Sequence, residues 1–217
     1  MRAICLALRE RGLGVLAPDM RGHGRSGGYC TAGADEQLDV AAAVQWLRAR
    51  GYQRVAVLGW SMGGSAVLRY AGLGGDADAV VAVSSPGRWF ERGTRPMRIV
   101  HWMCETRTGR FATRLARRTR IAGAAWAAKL PEAPAEVAGA IAPTPLLIVH
   151  GDADHYFPVA HFDALATAAP DADHWLEAGM GHAETATTPE LLARIADWLA
   201  AAVQQSRSDV CDDGSRE

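Results

Sequence analysis

The sequence predicts an α/β protein in which a mostly parallel sheet is flanked by helices. Short apolar runs rich in β-branched residues recur at residues 55–58, 79–83 and 146–149. Such runs are typical of strands buried on both faces, and segments with helical spacing separate them. The chain of 217 residues is 49% hydrophobic, which is enough for one domain with a buried core. Alternating strands and helices indicate a parallel sheet covered by helices.

The predicted elements can be placed in order along the chain. Helices are predicted at residues 2–11, 35–50, 65–73, 161–168 and 189–203, and strands at residues 15–17, 55–58, 79–83, 146–149 and 174–176. Gly12 is a natural stop for the first helix, and the run closed by Pro18 has the length of a buried strand. Residues 21–28 contain too many glycines for a helix or strand, so they are predicted to form a loop.

One stretch, residues 86–137, interrupts the alternation. It contains three of the seven tryptophans and ten arginines, and it has no strand pattern. We interpret it as a mostly helical cap inserted into a core formed by residues 1–85 and 138–203. The polar, acidic residues 204–217 are predicted to be a disordered tail.

Composition excludes several classes of function. The formal net charge of −1 argues against a nucleic-acid-binding protein, which would carry a basic excess. No apolar run approaches the roughly 18 residues that a membrane-spanning helix needs. We expect no cofactor and, because no His/Asp/Glu cluster has ligand spacing, no metal. The widely separated cysteines indicate reduced thiols and a cytoplasmic protein. They are Cys5, Cys30, Cys104 and Cys211.

The strongest motif is a serine flanked by two glycines. Gly59, Ser61 and Gly63 form a G-x-S-x-G pattern between a predicted strand and a small-residue helix. A sharp strand-to-helix turn of this kind lifts the serine hydroxyl above the sheet, and small neighbours avoid a clash with the backbone. It also directs the backbone N–H of Met62 toward a developing oxyanion. The alternative is an ordinary turn, but the strand before it and the helix after it favour a nucleophile.

A serine hydroxyl is a weak nucleophile at neutral pH, so it needs a base, which in turn needs an orienting acid. His182 follows the last predicted strand in a Gly-x-Gly-His loop and is the candidate base. Asp152 and Asp154 both lie in the loop after residues 146–149 and are both candidates for the acid. The remaining histidines have no such support. They are His23, His101, His150, His155, His161 and His174.

Together these segments resemble the α/β-hydrolase superfamily, and most of all its lipase- and esterase-like branch with a helical cap. The matching pieces run in family order and are residues 19–27, 59–63, 150–154 and 181–182. In that fold the chain order is serine, acid, histidine. The spacing of Gly151, Asp154 and Pro158 matches the acid loop of the fold and favours Asp154. Asp152 is then expected to accept backbone N–H groups.

The resemblance implies a serine hydrolase that cleaves carboxylic esters through a triad of Ser61, Asp154 and His182 and an acyl-enzyme intermediate. The tryptophans of the cap suggest a small-molecule ester with an apolar acyl or aryl group. The same triad would also serve an amidase, peptidase, thioesterase, acyltransferase or haloperoxidase. A non-catalytic member that binds a ligand is the alternative from another class.

The sequence departs from the family pattern at its beginning. The family has a further strand before the run at residues 15–17, and its His-Gly loop supplies a second oxyanion N–H. No such strand precedes that run here, so only the Met62 N–H is predicted as an oxyanion donor. We therefore expect that the chain is truncated at its N-terminus.

Overall fold

Four parallel strands form a sheet in the order β1-β2-β3-β4. This computed structural model describes residues 2–89, 91–123 and 131–205. The strands are β1 (Ala56–Trp60), β2 (Ala79–Val83), β3 (Leu146–Gly151) and β4 (Asp173–Glu177). Because the strands are parallel, the loops that leave their carboxyl ends meet at one edge of the sheet. The predicted fold class is confirmed.

Helices lie before, between and after these strands. They are α1 (Arg2–Glu10), α2 (Gln37–Arg48), α3 (Met62–Gly72), α4 (Arg95–Glu105), α5 (Arg107–Arg117), α6 (Pro134–Ala138), α7 (Ala160–Ala168) and α8 (Pro189–Gln205). Of these, α1, α2, α3, α6, α7 and α8 pack on the sheet. Among the described helices none combines the length and the hydropathy of a membrane-spanning segment.

Both faces of the sheet are buried, which explains why the strand sequences are apolar throughout. In β2, Val80 and Ala82 point into a core built with α2, α3, α6 and α7. Val81 and Val83 point to the opposite face, into a core built with α1 and α8. The structure therefore has three layers, with the sheet between two layers of helices.

The predicted cap region contains helices α4 and α5 and the start of α6, whereas its described residues 86–89, 91–94, 118–123 and 131–133 are not helical. Thr106 lies between α4 and α5, and its hydroxyl accepts a hydrogen bond from the N–H of Gly109 at 2.9 Å. A Cβ on Gly109 would lie 2.1 Å from the carbonyl oxygen of Trp102, so the two helices approach closely. Residues 124–130 of the cap, which include Trp126, lie outside the described residues.

The end of the predicted cap lies against the core. Helix α6 packs against α3 and α7, and its residues Val137 and Ala138 are buried there. The boundary between residues 137 and 138 therefore falls inside one helix. At the other end of the chain, α8 continues to Gln205, so residues 204 and 205 are helical and not part of a disordered tail. The rest of the predicted tail lies outside the described residues.

The strand predicted at residues 15–17 is not present. Residues 13–20 form neither helix nor strand, and the side chains of Val15 and Leu16 are 38% and 41% exposed. A strand needs a neighbour to accept and donate its backbone hydrogen bonds. Among the described strands β1 pairs with β2 alone and none pairs with residues 15–17. An apolar run therefore does not form a strand by itself when no neighbouring strand is available to pair with it.

Candidate active site

Ser61 lies at a strained turn between β1 and α3. Its backbone has φ +53° and ψ −118°, a conformation that costs a residue with a side chain on the order of 1–3 kcal/mol. The turn is held because the N–H of Ser61 donates to the carbonyl oxygen of Val83 at 2.9 Å, while its own carbonyl accepts from Ser65. Helix α3 begins at Met62, so the Met62 N–H lies at the positive end of a helix dipole. An N–H in that position can stabilise an anion.

The two glycines of the motif have different surroundings. A Cβ on Gly59 would lie 2.1 Å from the carbonyl oxygen of Gly63, whereas a Cβ on Gly63 would meet nothing within 4 Å. Only Gly59 is therefore required for close approach of the backbone at the turn. The expectation that both flanking positions are sterically restricted does not apply to Gly63.

This difference predicts opposite effects of alanine at the two positions. We expect Gly59→Ala to lower the free energy of unfolding by about 2–3 kcal/mol, because the clash is with backbone that cannot rotate away. Gly63→Ala should be neutral or raise it by up to about 1 kcal/mol, since alanine is the better helix former. Urea denaturation of both variants measures the difference. Equal destabilisation would contradict the geometry of the turn.

Ser61, His182 and Asp154 form a continuous hydrogen-bonded chain. The Ser61 hydroxyl oxygen lies 2.9 Å from Nε2 of His182, and Nδ1 of His182 lies 2.8 Å from Oδ2 of Asp154. A carboxylate can only accept, so Nδ1 carries the proton and Nε2 is left as the acceptor for the serine hydroxyl. In this tautomer the imidazole can remove a proton from Ser61.

The Asp154 carboxylate is buried and fully engaged. Its Oδ1 accepts hydrogen bonds from the N–H groups of Tyr156 and Phe157 at 2.8 and 3.0 Å. Burial by itself would raise the pKa of Asp154, but the hydrogen bonds from His182 and from these two N–H groups outweigh it and hold the pKa below its ordinary value. Asp154 is therefore a carboxylate at neutral pH.

Asp152, the other candidate acid, has a different role in the structure. Its side chain is exposed, and Oδ1 accepts a hydrogen bond from the N–H of Gly179 at 2.6 Å. This contact ties the loop after β3 to the loop after β4. Asp152 thus accepts a backbone N–H, as the sequence suggested, and His182 pairs with Asp154.

Two aromatic side chains of the acid loop hold the imidazole of His182. The Tyr156 ring stacks on it with centroids 4.3 Å apart and an interplanar angle of 30°. The Phe157 ring meets it edge-on at 5.3 Å. Because the same two residues donate their N–H groups to Asp154, one loop orients both the acid and the base. These contacts were not predicted from the sequence, although Tyr156 and Phe157 lie only two and three positions after Asp154.

Ser84 is a further residue near His182 that was not predicted from the sequence. It follows β2, is fully buried, and has φ +48°. Its hydroxyl accepts a hydrogen bond from the N–H of Ala183 at 3.0 Å and so fixes the residue after His182. Its position at the carboxyl end of a central strand was the available signal.

The described cysteines near the site are not candidate nucleophiles. The thiol of Cys30 donates to the Met62 sulfur at 3.8 Å, so it lies close to the serine turn. Burial raises the pKa of Cys30, and it raises that of Cys104 to about 12. Both groups are protonated at neutral pH, and a thiol is a poor nucleophile compared with a thiolate. Among the described residues no cluster of three or more His, Cys, Asp or Glu could hold a metal ion.

His161 connects the start of the cap to α7. Its Nδ1 accepts hydrogen bonds from the N–H groups of Gly87 and Arg88 at 3.2 and 3.4 Å, and its Nε2 lies 3.2 Å from the Glu91 carboxylate. Burial lowers the pKa of His161, the nearby Arg88 and His150 lower it further, and Glu91 and the more distant Asp154 oppose the shift. These two hydrogen bonds require a neutral ring with no proton on Nδ1, because such a proton would face the N–H groups of Gly87 and Arg88.

We expect the loss of this acceptor to destabilise the protein. His161→Leu should lower the free energy of unfolding by about 1–3 kcal/mol, since two buried N–H groups lose their partner. His161→Asn, whose side-chain oxygen replaces Nδ1, should lose less stability.

The same histidine predicts a pH dependence. In the wild type, stability should fall as the pH drops below about 6.5, where the unfolded chain takes up a proton that the folded ring resists. A pH series of urea denaturations should show a smaller fall for His161→Asn. An identical pH dependence would contradict this role of His161.

The other histidines do not join the hydrogen-bonded chain of Ser61. His150 is buried and bonds through Nε2 to the carbonyl oxygen of Phe157, and burial lowers its pKa. His23 bonds through Nδ1 to the carbonyl oxygen of Arg21 in the glycine-rich loop. His155 is exposed, with its ring centroid 6.3 Å from that of His182.

Comparisons with known proteins agree with this architecture. The chain matches the model of the alpha/beta hydrolase family over residues 3–195. No curated protein matches it significantly. A solved esterase from Pyrococcus furiosus is 25% identical with a TM-score of 0.70, and the alignment covers 94% of this chain and 75% of that one.

Two further solved structures share the fold at lower identity. A monoacylglycerol lipase from Paleococcus ferrophilus is 20% identical with a TM-score of 0.62, and 92% of this chain and 88% of that one are covered. A Thermus thermophilus protein, TT1662, is also 20% identical with a TM-score of 0.62, over 93% of this chain and 82% of that one. Because the family model spans most of the sequence, and the parallel sheet carries the strand-serine-helix turn at its edge, the chain belongs to the alpha/beta hydrolase family.

Proposed function

We propose that the protein is a serine hydrolase that cleaves carboxylic esters, with Ser61 as nucleophile, His182 as base and Asp154 as orienting acid. The observation that carries the proposal is the unbroken chain of hydrogen bonds from Ser61 through His182 to Asp154. A nucleophile within hydrogen-bond reach of a base, and a third group that orients the base, are the requirements of nucleophilic acyl transfer.

In the proposed reaction the Ser61 oxygen attacks the ester carbonyl carbon and His182 takes the hydroxyl proton through Nε2. The negative charge that develops on the carbonyl oxygen is stabilised by the Met62 N–H at the start of α3. When the ester C–O bond breaks, the imidazolium returns its proton to the leaving alcohol. Water then attacks the acyl-enzyme with His182 again as base, which releases the carboxylic acid and restores Ser61.

We favour esters over other acyl substrates because two of the similar structures are described as an esterase and a monoacylglycerol lipase. The half-buried Tyr156 ring beside His182 favours an apolar acyl or aryl group near the reacting atoms. The proposed substrate is therefore a small ester with an apolar group.

A fluorophosphonate probe tests the nucleophile independently of the natural substrate. It should label the wild-type chain at one site, and Ser61→Ala should abolish labelling. Failure of the folded wild-type protein to react would overturn the proposal.

A series of p-nitrophenyl esters of increasing acyl length then tests the substrate class. We expect kcat/KM to be higher for esters with acyl chains longer than acetate than for the acetate ester. If amide or thioester analogues were cleaved at comparable rates, the restriction to carboxylic esters would be wrong.

A further inference from the structure

We propose that the cap binds anionic lipid surfaces through the outward face of helices α4 and α5. The face is defined by four exposed apolar side chains and five arginines. They are Ile99, Trp102, Phe111 and Leu115, together with Arg95, Arg98, Arg107, Arg114 and Arg117. The inference rests on this surface and does not require the proposed ester hydrolysis.

The apolar part of this face is exposed to an unusual degree. Phe111 and Leu115 are 64% and 68% exposed, although both are large and lie one helical turn apart on α5. The opposite side of α5 is buried through Gly109 and Thr113, so the helix is oriented by its packing and cannot turn Phe111 and Leu115 inward. Exposed apolar side chains arranged along a helix mark an interaction surface more often than scattered ones do.

Helix α4 has the same arrangement. Ile99 and Trp102 are 52% and 44% exposed and are three residues apart, while Met97 and His101 face the interior. Because α4 and α5 pack together around Thr106, the two exposed stripes belong to neighbouring helices of one hairpin. The cap thus presents aromatic and aliphatic side chains from two helices.

The charge of this hairpin determines the kind of partner. Residues 95–117 contain six arginines and one glutamate, a formal charge of +5, whereas the whole chain carries −1. The glutamate, Glu105, is paired with Arg92, which lies outside the hairpin, at 2.6 Å. Within the described residues Arg95, Arg107 and Arg114 form no ion pair, so their charges are available to an anionic partner.

An anionic lipid surface is the partner that can bind both the exposed apolar side chains and the unpaired arginines. At the boundary between headgroups and acyl chains, Phe111 and Leu115 can enter the apolar region while Arg107 and Arg114 meet phosphates and anionic headgroups. A nucleic acid would use the arginines but would leave the aliphatic Leu115 in water.

The lipid-binding face is connected to the proposed catalytic residues. Thr94, the N-cap of α4, donates its hydroxyl proton to the carbonyl oxygen of Tyr156 at 3.1 Å. Tyr156 in turn stacks on His182. Docking of the hairpin on a lipid surface would therefore hold the loop of Asp154, and through Tyr156 the imidazole of His182, close to esters dissolved in that surface.

Co-sedimentation with vesicles tests the proposal in a Ser61→Ala background, in which no hydrolysis can alter the lipid. We expect binding to vesicles of phosphatidylcholine with 30% phosphatidylglycerol to be about tenfold or more tighter than to phosphatidylcholine alone, and to weaken with salt. Phe111→Ser with Leu115→Ser should reduce binding about tenfold or more. Arg107→Gln with Arg114→Gln should reduce it about fivefold for each charge removed.

A matched control carries the same kinds of substitution elsewhere on the surface. Tyr52 is 53% exposed and Arg9 lies exposed on α1, so Tyr52→Ser with Arg9→Gln should bind like the parent. Circular dichroism of every variant, and probe labelling of the same variants with Ser61 restored, distinguish unfolding from a loss of binding. Absence of binding to anionic vesicles would overturn the proposal while leaving the labelling result intact. Equal binding by the hairpin variants, or binding to duplex DNA or to an acidic peptide in preference to vesicles, would overturn it as well.

Discussion

Ser61→Ala is expected to lower kcat for hydrolysis of a p-nitrophenyl ester by about 10⁶, to near the background rate. Removal of the nucleophile from a functioning triad has an effect of this order, because no other group takes over the covalent step. The thiols of Cys30 and Cys104 are protonated and cannot replace it. Initial rates of purified wild-type and variant protein, with the inactivated wild type as blank, provide the measurement.

Ser61 also allows a second readout that does not depend on the substrate. Its φ of +53° strains any residue with a Cβ, so Ser61→Gly should be as inactive as Ser61→Ala but more stable by about 1 kcal/mol. Ser26→Ala is the control, since the half-buried Ser26 hydroxyl only donates to the carbonyl oxygen of Asp19. Retention of more than a few per cent of activity in Ser61→Ala would refute the assigned nucleophile.

Asp154→Asn is expected to lower kcat by about 10⁴. An asparagine amide in place of the carboxylate no longer favours the His182 tautomer with the proton on Nδ1, and it no longer stabilises the imidazolium that forms in the reaction. Asp152→Asn is the matched control, because Asp152 lies two positions away and, among the described groups, its side chain hydrogen-bonds only with the N–H of Gly179. We expect it to change kcat less than threefold.

The stability of the protein at acidic pH should also depend on Asp154. Because the pKa of Asp154 is lower in the folded protein than in the unfolded chain, its contribution to stability is present above about pH 4 and is lost as the pH falls through the folded value. The Asp154→Asn protein should therefore lose less stability between pH 5 and about pH 3 than the wild type. If Asp152→Asn reduced kcat more than Asp154→Asn, the assignment of the acid would have to be reversed.

Much of the fold could be predicted because strand and helix periodicity is local information. Strand β2 has the bounds that its apolar run predicted, and β3 and β4 differ by no more than two residues at either end. Helix α3 begins three residues earlier than predicted, because the chain turns directly from Ser61 into the helix. Glycines at its start made that first turn resemble a loop.

The strand at residues 15–17 shows where local information fails. Its composition is that of a buried strand, yet a strand is stabilised by hydrogen bonds to a neighbour that composition does not reveal. The contacts of Tyr156 with His182, of Ser84 with Ala183 and of His161 with the start of the cap also depend on tertiary packing, although the position of Ser84 directly after β2 was a partial signal. Each joins residues that are far apart in the chain or turned toward each other only by packing.

The sequence by itself determined the alternation of strands and helices, the parallel sheet that follows from it, and the turn at Ser61. These features depend on side-chain periodicity and on glycine spacing, which can be recognised within a single short segment of the sequence. The spacing of Gly151, Asp154 and Pro158 already favoured Asp154 over Asp152. Only the tertiary structure decided that Asp154 lies 2.8 Å from Nδ1 of His182, because the two residues are 28 positions apart in the chain and meet only when their loops come together. It also decided that Phe111 and Leu115 face water, since a helix exposes whichever side its neighbours do not cover.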